Sequence, residues 1–139
     1  MSRRRARESA MQVLYQVDVG KMDVDDAFKH LQEKLNITIE DRDMDFARHL
    51  VLGTIAKLPE LDTEISRLSH DWKLERLAAV DRSILRMALY EIFHEQGTPY
   101  NVSINEAVEI AKKFCGEQSS KFINGILGKV VQEKQKLPQ

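Results

Sequence analysis

Residues 74–95 read LERLAAVDRSILRMALYEIFHE, the longest amphipathic stretch of the 139-residue chain. Apolar residues recur in it at the three- and four-residue spacing of an α-helix. They are Leu77, Val80, Ile84, Leu85, Ala88, Leu89 and Ile92. A stripe this wide is typical of a helix that is buried against several neighbours. The pattern therefore predicts a central helix over residues 74–95.

Shorter amphipathic patterns on both sides of this stretch predict six further helices. They are expected over residues 4–19, from Asp23 to residue 35, from Asp41 or Asp43 to residue 58, from Pro59 to residue 68, from Ser103 to Cys115, and from Ser119 or Ser120 to residue 131 or beyond. No alternating strand pattern competes with them, and three prolines and six glycines are few for a β-sandwich. Because the predicted connections are short, we expect one compact all-α bundle of about seven helices.

Capping residues set the expected ends of two of these helices. Gly20 stands where a C′ glycine would close the first helix, and Gly116 would close the sixth. Ser103 and Glu106 have the spacing of a capping box, which would start the sixth helix at Ser103.

The residue types that carry catalysis and metal binding do not form a recognisable site. The four histidines are scattered over different segments without a paired-ligand spacing, and Cys115, the one cysteine, has no obvious base beside it. Gly125 and Gly128 lie in an apolar helical stripe, where we expect them to allow close helix packing rather than to bind phosphate. The chain is therefore expected to be no enzyme and to bind no metal, cofactor or small-molecule substrate.

The sequence also lacks a segment that would direct it to a membrane. Its amino terminus is positively charged, but Glu8, Gln12 and Asp18 interrupt any apolar run of the kind found in a signal peptide. No stretch approaches the roughly 18 apolar residues of a membrane-spanning helix. A single cysteine excludes an intramolecular disulfide. We therefore expect a cytoplasmic protein without a membrane partner.

Charge is strongly segregated along the chain, although the net charge is only −1. Residues 1–17 sum to +3 and residues 112–139 to +4, whereas residues 18–64 and 65–111 sum to −6 and −2. Basic ends around an acidic middle indicate an anionic partner if the fold brings the ends together. The alternative is that both ends are solvated and that their charges only keep the protein soluble.

Four arginines at the start of the first helix indicate the kind of anion. Arg3, Arg4, Arg5 and Arg7 lie where cations oppose the helix dipole, at a cost of about 0.3–1 kcal/mol each, so they do not serve helix stability. Successive side chains project about 100° apart, and such a fan suits several phosphates on an irregular strand. Tyr15 follows two turns later and is placed to stack on a base. This pattern favours nucleic-acid binding.

A second candidate surface lies between Cys115 and Asn124. A serine-capped helix start offers backbone N–H groups to a phosphate. Lys121 adds positive charge, and Asn124 carries donors and acceptors that can read a base edge. The alternative is plain helix capping without a ligand. We hypothesise that this segment and Arg3–Arg7 converge on one face and bind single-stranded RNA.

Three blocks of sequence together resemble one protein family. They are RRRARESAMQVLYQ at residues 3–16, WKLERLAAVDRSILRMALYEI at residues 72–92 and VSINEAVEIAKKFCGEQSSKFINGIL at residues 102–127. In this order and spacing they resemble the NusB family of bacterial transcription antitermination factors over nearly the whole chain. The resemblance implies a NusB-like fold of two helical subdomains, over about residues 1–58 and 59–139, and no catalysis.

The resemblance also implies a set of partners. A NusB-like protein would bind the box A element of ribosomal RNA leader transcripts together with NusE, a ribosomal protein of the small subunit. This pair would join other Nus factors on RNA polymerase and suppress premature termination. We expect RNA and NusE to strengthen each other's binding, because a docked partner would extend a small RNA surface.

Individual residues take expected roles from the same resemblance. Those expected at the RNA are Arg3, Arg4, Arg5, Arg7, Tyr15, Tyr100, Ser119, Lys121, Phe122 and Asn124. Asp81 falls where the family has an acidic residue linked to the NusE contact, and we expect Glu75 and Trp72 to contribute beside it. For Trp72 the alternative is a place in the core. Cys115 stands where many family members have glycine after phenylalanine, and Gln118 stands where some carry an acidic residue beside the RNA.

Two other functions remain open at this point. The chain could be a helical adaptor that binds only protein, although the arginine fan argues against it. A similar helical domain also occurs at the amino terminus of ribosomal RNA cytosine-5 methyltransferases. We expect no such enzyme here, because 139 residues leave no room for the catalytic domain.

Overall fold

The computed structural model describes residues 3–35, 41–69 and 73–136. Within these ranges the chain forms seven α-helices and one short 3₁₀ turn, with no strand, which confirms the predicted all-α class. The helices are α1 (Arg3–Asp18), α2 (Val24–Leu35), α3 (Asp41–Ala56), α4 (Leu58–Leu68), α5 (Ala79–His94), α6 (Tyr100–Phe114) and α7 (Glu117–Lys136). None of these described helices is long and apolar enough to cross a membrane.

Helix α5 is the centre of the bundle, as its apolar stripe predicts. It packs against α1, α3, α4, α6 and α7, and Ile84, Leu85 and Leu89 are completely buried. Two of its arginines form ion pairs with neighbouring helices. Arg82 lies 2.6 Å from a carboxylate oxygen of Asp18 on α1, and Arg86 donates to both carboxylate oxygens of Asp62 on α4, at 2.7 and 2.9 Å. These ion pairs fix α1 and α4 against the central helix.

The central helix begins later than predicted. Leu74–Arg76 form a separate 3₁₀ turn, and two extended residues follow before α5 starts at Ala79. The guanidinium group of Arg82 donates to the carbonyl oxygens of Leu74 and Leu77, at 3.4 and 3.2 Å. Because these bonds satisfy carbonyl groups that would otherwise need helical partners, they stabilise the break.

Helix α6 begins before the predicted capping box. It starts at Tyr100 after Pro99, whose carbonyl oxygen accepts the backbone N–H groups of Val102 and Ser103. Ser103 is therefore inside the helix and buried, and its hydroxyl oxygen has no hydrogen-bond partner. The capping box was a wrong prediction because Glu106 binds arginines of α1 instead of reaching back to the helix start.

Two further helix ends differ from the predictions. Gly20 does not supply the left-handed residue after α1, since Lys21 takes that conformation with a φ of 54°. Helix α7 starts at Glu117, so neither Ser119 nor Ser120 caps it. The hydroxyl group of Ser120 instead donates to the carbonyl oxygen of Glu117, at 2.8 Å.

Three predicted end signals are confirmed. Asp23 caps α2 by accepting the backbone N–H of Asp25 at 3.1 Å. Pro59 lies in the first turn of α4. Gly116 separates α6 from α7 with a φ of 105°, a conformation that L-residues rarely adopt.

The two subdomains, residues 1–58 and 59–139, stay a proposal. Helix α1 packs on α2 and α3, while α4, α6 and α7 pack on α5, which also contacts α1 and α3. A boundary between α3 and α4 would therefore leave α5 as the element that joins both groups.

Candidate nucleic-acid and partner interface

Three of the four predicted arginines of α1 are exposed. The guanidinium carbon of Arg3 lies 4.0 Å from the ring centroid of Phe46 on α3. Arg4 donates to both carboxylate oxygens of Glu106 on α6, and this hydrogen bonding raises the pKa of the Arg4 guanidinium group. Arg5 is exposed beside them. The start of α1 therefore presents three exposed arginines, of which Arg4 is paired with Glu106, and α3 and α6 hold this segment in place.

Arg7 points into the bundle instead. Its side chain is only 6% exposed and donates to the two carboxylate oxygens of Glu91 on α5, at 2.8 and 3.0 Å, with an oxygen of Glu106 at 3.6 Å. These contacts direct the guanidinium group at two carboxylates rather than at solvent. In this structure Arg7 joins α1 to α5 and α6, and the RNA contact predicted for it would require these ion pairs to break.

The predicted residues of α7 are divided between two faces of that helix. Ser119 and Phe122 face the start of α5, where the Ser119 hydroxyl group donates to Oδ2 of Asp81 at 3.1 Å. Lys121 and Asn124 are exposed to solvent. Lys121 and Asn124 can therefore meet a ligand without breaking a contact between α7 and α5, whereas Ser119 and Phe122 cannot.

A cavity of about 270 Å³ separates the start of α5 from the start of α7, and we call it the Asp81 cavity. It is lined by Arg76, Leu77, Ala78, Asp81, Gln118, Ser119 and Phe122. Asp81 is 8% exposed, and its Oδ1 atom has no hydrogen-bond partner. A buried acceptor without a donor is destabilising, so this oxygen is a cost to the fold.

The other two predicted partner residues have different outcomes. Glu75 lies in the 3₁₀ turn next to Arg76 and is exposed, as an interface residue should be. Trp72 lies outside the described residues.

Burial and the Asp81 carboxylate raise the pKa of the nearby Cys115 thiol to about 12, so this thiol is protonated at neutral pH.

The two segments that we expect on one RNA-binding face lie at different heights along α5. Arg7 contacts Glu91 near the end of α5, whereas Ser119 contacts Asp81 near its start. Ten residues of helix separate these two contacts, which corresponds to about 15 Å along the axis. A ligand that meets both segments must therefore extend along the molecule.

A groove of about 260 Å³ lies between α1, α2 and the end of α6, and we call it the Tyr15 groove. It is lined by Met11, Gln12, Tyr15, Gln16, Ala27, His30, Leu31, Lys34, Val80 and Phe114. None of these described residues carries a carboxylate. Phe114, which immediately precedes the turn into α7, is 39% exposed although its apolar spacing suggests a core residue.

Tyr100 lies apart from the other predicted RNA residues. It begins α6, beside the end of α5, and its ring centroid lies 5.7 Å from the amino group of Lys134 on α7. The same amino group lies 5.1 Å from the ring centroid of Phe93. Tyr100 thus holds a lysine of the last helix and does not border the Tyr15 groove or the Asp81 cavity.

Sequence reasoning missed most of the Tyr15 groove. Gln12, Gln16, His30 and Lys34 carry no motif, and they become neighbours only because α2 folds back across α1. For Phe114 the sequence held a signal of exposure, since two exposed lysines, Lys112 and Lys113, precede it at the end of α6. Among the residues that the structure describes, no group of three or more His, Cys, Asp or Glu side chains could hold a metal ion.

The chain is similar in sequence to known proteins along nearly its whole length. Residues 4–132 match the model of the NusB family. The chain is 50% identical over 133 residues to the transcription antitermination protein NusB of Desulforudis audaxviator, which covers 96% of this chain and 95% of that protein. It is 51% identical over 132 residues to the corresponding protein of Pelotomaculum thermopropionicum, which covers 95% and 90%.

Solved structures show the same arrangement of helices. NusB of T. maritima is 34% identical, with a TM-score of 0.84 over 99% of each chain. A chain in the crystal structure of the antitermination factors NusB and NusE in complex with dsRNA is 28% identical, with a TM-score of 0.82. That match covers 96% of this chain and 99% of the other.

Proposed function

The chain belongs to the NusB family, and from this premise we propose that it is an RNA-binding transcription antitermination factor. Its curated relatives are transcription antitermination proteins, which supports this function over a protein-binding adaptor or a methyltransferase relative. Membership of the family also confirms the prediction that the chain is not an enzyme.

The surface that we propose for RNA extends from the start of α1 to the start of α7. Arg3, Arg4 and Arg5 would meet phosphates at one end, and Lys121 and Asn124 would meet the strand at the other. The Tyr15 groove lies towards the α7 end of this path, since Phe114 on its border is followed at once by the turn into α7. Arginine provides bidentate phosphate contacts, which position a strand, while bases supply the sequence information.

The Tyr15 groove is the observation that carries the proposal. Its walls combine two aromatic rings with glutamine amides, and its basic rim holds Lys34 and His30 without a described carboxylate. Unpaired RNA bases are bound in this way, by stacking on aromatic rings and by hydrogen bonds to their edges. At about 260 Å³ the groove lies just below the roughly 300–1,000 Å³ of sites for drug-sized ligands, a size suited to a smaller group such as a base.

A second groove provides a comparison within the same molecule. It lies between α4, the end of α5 and α7, has a volume of about 580 Å³ and is lined by Glu60, Glu64 and Glu133. Arg67 is already held there, by hydrogen bonds of 2.9 Å to Glu64 and 2.6 Å to Glu133. The three carboxylates outnumber Arg67 and Lys134, the two cations of the lining, so this larger groove is the poorer RNA surface of the two.

The Asp81 cavity is the surface that we propose for the protein partner. The solved complex of NusB with NusE and dsRNA makes a NusE-like ribosomal protein the candidate partner for this chain. Asp81 lines this cavity, with Glu75 exposed on the adjoining 3₁₀ turn. Asp81→Lys should weaken binding of NusE while leaving the helical circular dichroism unchanged. Unchanged affinity in a NusE titration of this variant would place the partner elsewhere.

The wider setting follows from the family and from the earlier expectations. We propose box A of ribosomal RNA leader transcripts as the RNA, bound together with NusE in the cytoplasm. The resulting complex would join other Nus factors on RNA polymerase and help it to read through terminators.

Salt dependence of RNA binding tests the proposal directly. If Arg3, Arg4, Arg5 and Lys121 each neutralise one phosphate, the logarithm of the affinity for single-stranded box A RNA should fall against the logarithm of salt with a slope of about −3. The double variant Arg3→Ala with Arg5→Ala should lower this slope by about 1.4, since each lost phosphate contact removes about 0.7.

Lys57→Ala is the matched control, because Lys57 is an exposed cation between α3 and α4, outside the proposed path. Its slope and affinity should equal those of the unchanged protein. The same RNA annealed to its complement distinguishes single-stranded from double-stranded binding. A slope near zero, or an equal loss in the Lys57 variant, would contradict RNA binding along this surface.

A further inference from the structure

A carboxylate of α6 lies behind the exposed start of α1. Glu106 has the spacing of a capping residue, but its side chain is only 13% exposed and contacts the arginines of α1. Its Oε2 atom accepts from Nη2 of Arg4 at 2.5 Å and from Nε at 3.2 Å. Its Oε1 atom lies 3.6 Å from Nη1 of Arg7. One side chain of α6 therefore contacts both an exposed and a buried arginine of α1.

The Arg4 guanidinium group has one edge available for another molecule. A guanidinium group is a planar fork that carries five N–H donors. Glu106 accepts from the edge formed by Nε and Nη2, whereas Nη1 bonds to no residue that the structure describes. The Arg4 side chain is 43% exposed. Its Nη1–Nη2 edge can therefore make a bidentate contact with a phosphate, a contact that the planar geometry of arginine suits.

Glu106 also restricts the freedom of the long Arg4 side chain. An unrestrained arginine has many rotamers, and ordering one of them during binding costs free energy. Glu106 in turn lies against Arg7, which is fixed by Glu91 of the central helix at 2.8 and 3.0 Å. This series of contacts connects the buried helix α5 to the exposed Arg4. The guanidinium group of Arg4 is therefore in place before RNA arrives.

The same carboxylate has an electrostatic cost, since a negative charge beside Arg4 repels the phosphates of RNA. If charge alone mattered, neutralising Glu106 would strengthen RNA binding. If placement of Arg4 matters more, neutralising Glu106 would weaken it. The geometry favours placement, because Arg4 is much the more exposed of the two side chains and a phosphate that approaches from solvent meets it first.

We propose that Glu106 is a positioning residue for RNA binding, which holds the Nε–Nη2 edge of Arg4 so that the Nη1–Nη2 edge faces an RNA phosphate. This inference rests on the proposed function. The role differs from one in folding, because Arg7 stays bonded to Glu91 when Glu106 is neutral.

The test measures the affinity for single-stranded box A RNA over a range of salt concentrations. Glu106→Gln removes the charge that holds Arg4 and keeps the shape of the side chain. It should weaken RNA binding roughly 2- to 10-fold, which corresponds to the cost of ordering one long side chain. The slope of affinity against salt should become shallower by up to about 0.7, the share of one phosphate contact. Circular dichroism should show an unchanged helix content.

Glu109→Gln is the matched control on the same helix. Glu109 has a 39% exposed side chain and lies 3.6 Å from the amino group of Lys112. Glu106 raises the pKa of Arg4 by hydrogen bonding, whereas Glu109 raises it only through its charge. Because this variant removes the same charge without releasing Arg4, RNA affinity should rise slightly, by less than about twofold at physiological salt. A rise of the same size in Glu106→Gln would overturn the positioning role.

The variant Arg4→Ala separates the placement of Arg4 from any other effect of Glu106. In a protein that carries Arg4→Ala, the further change Glu106→Gln should cause no additional loss of RNA affinity, because the side chain that Glu106 places is gone. An additional loss as large as in the protein with Arg4 would show that Glu106 acts through another group, and it would overturn the inference.

The proposed function and this inference fail in different ways. If the unchanged protein binds box A RNA and Glu106→Gln binds it equally tightly or more tightly, the inference is wrong and the proposed function stands. If the unchanged protein binds no box A RNA even at low salt, the proposed function fails and the inference falls with it.

Discussion

The two ends of α5 use buried carboxylates in opposite ways. Near its end, Glu91 is 2% exposed and accepts three hydrogen bonds from Arg7. Near its start, Asp81 is 8% exposed, accepts one hydrogen bond from Ser119 and leaves Oδ1 without a partner. The start of α5 also borders the Asp81 cavity, so it is the end of the helix at which we expect a partner.

The largest expected effect comes from breaking the ion pair of Arg7 and Glu91 near the end of α5. Arg7→Ala leaves Glu91 buried and unpaired, and loss of one member of a buried ion pair costs about 3–5 kcal/mol. Urea unfolding monitored by circular dichroism should show a correspondingly lower free energy of unfolding. Arg3→Ala is the control, since Arg3 is exposed and contacts only one aromatic ring among the contacts described, and it should lose far less.

The double variant Arg7→Leu with Glu91→Leu sharpens this prediction. Removing both charges together leaves no unpaired group, so the double variant should be more stable than Arg7→Ala. If Arg7→Ala instead kept full stability and lost RNA affinity, Arg7 would belong to the RNA surface as the sequence suggested.

Close packing of α3 against the end of α5 predicts a second, smaller loss of stability. A Cβ atom added at Gly53 on α3 would lie 2.2 Å from the ring of Tyr90 on α5. That ring cannot move away easily, because it also stacks on His94 with 5.5 Å between ring centroids. Gly53→Ala should therefore lower the free energy of unfolding by about 1–3 kcal/mol, the usual cost of overpacking.

Gly125→Ala is the matched control on α7. Sequence reasoning expected Gly125 and Gly128 to allow close packing, but a Cβ added at either position meets no atom of a neighbouring helix within 4 Å, so this prediction was wrong. Since alanine is the better helix former, the control should raise the free energy of unfolding by about 0.5–1 kcal/mol. Equal losses in the two variants would contradict the difference in packing.

Asp81→Asn should have the smallest effect on folding. The amide oxygen can still accept from Ser119, and no buried charge remains, so the free energy of unfolding should change by less than about 1 kcal/mol. Affinity for NusE should fall all the same, because hydrogen bonds to a charged acceptor are stronger than those to a neutral one. A stability loss as large as that of Arg7→Ala would show that Asp81 is structural, like Glu91.

Helix positions could be predicted from the sequence better than helix ends. Apolar spacing alone predicted the position of α5, because it identifies the side chains that the core buries, such as Ile84, Leu85 and Leu89. The ends depend on competition for polar groups between distant residues. Glu106 had the spacing of a capping residue, but it binds Arg4 from a helix about a hundred positions earlier. Arg82 likewise breaks its own predicted helix by binding the carbonyl groups of Leu74 and Leu77.

The candidate site could be predicted only in part, because its polar contacts also depend on residues that are distant in sequence. A cluster of arginines predicts an anionic partner, but which of them faces inward depends on where the bundle places a carboxylate. Glu91 decides this for Arg7. The Tyr15 groove needed the fold, since His30 on α2 and Phe114 on α6 are far apart in sequence.

The most direct test of this account is a titration of the isotope-labelled protein with single-stranded box A RNA, followed by amide chemical shifts. We predict that the shifts will concentrate at Arg3–Arg5, around the Tyr15 groove and at Lys121 and Asn124, while the glutamate-lined groove near Glu60 stays unchanged. Shifts centred on α4 and the end of α5, with the Tyr15 groove unaffected, would contradict it.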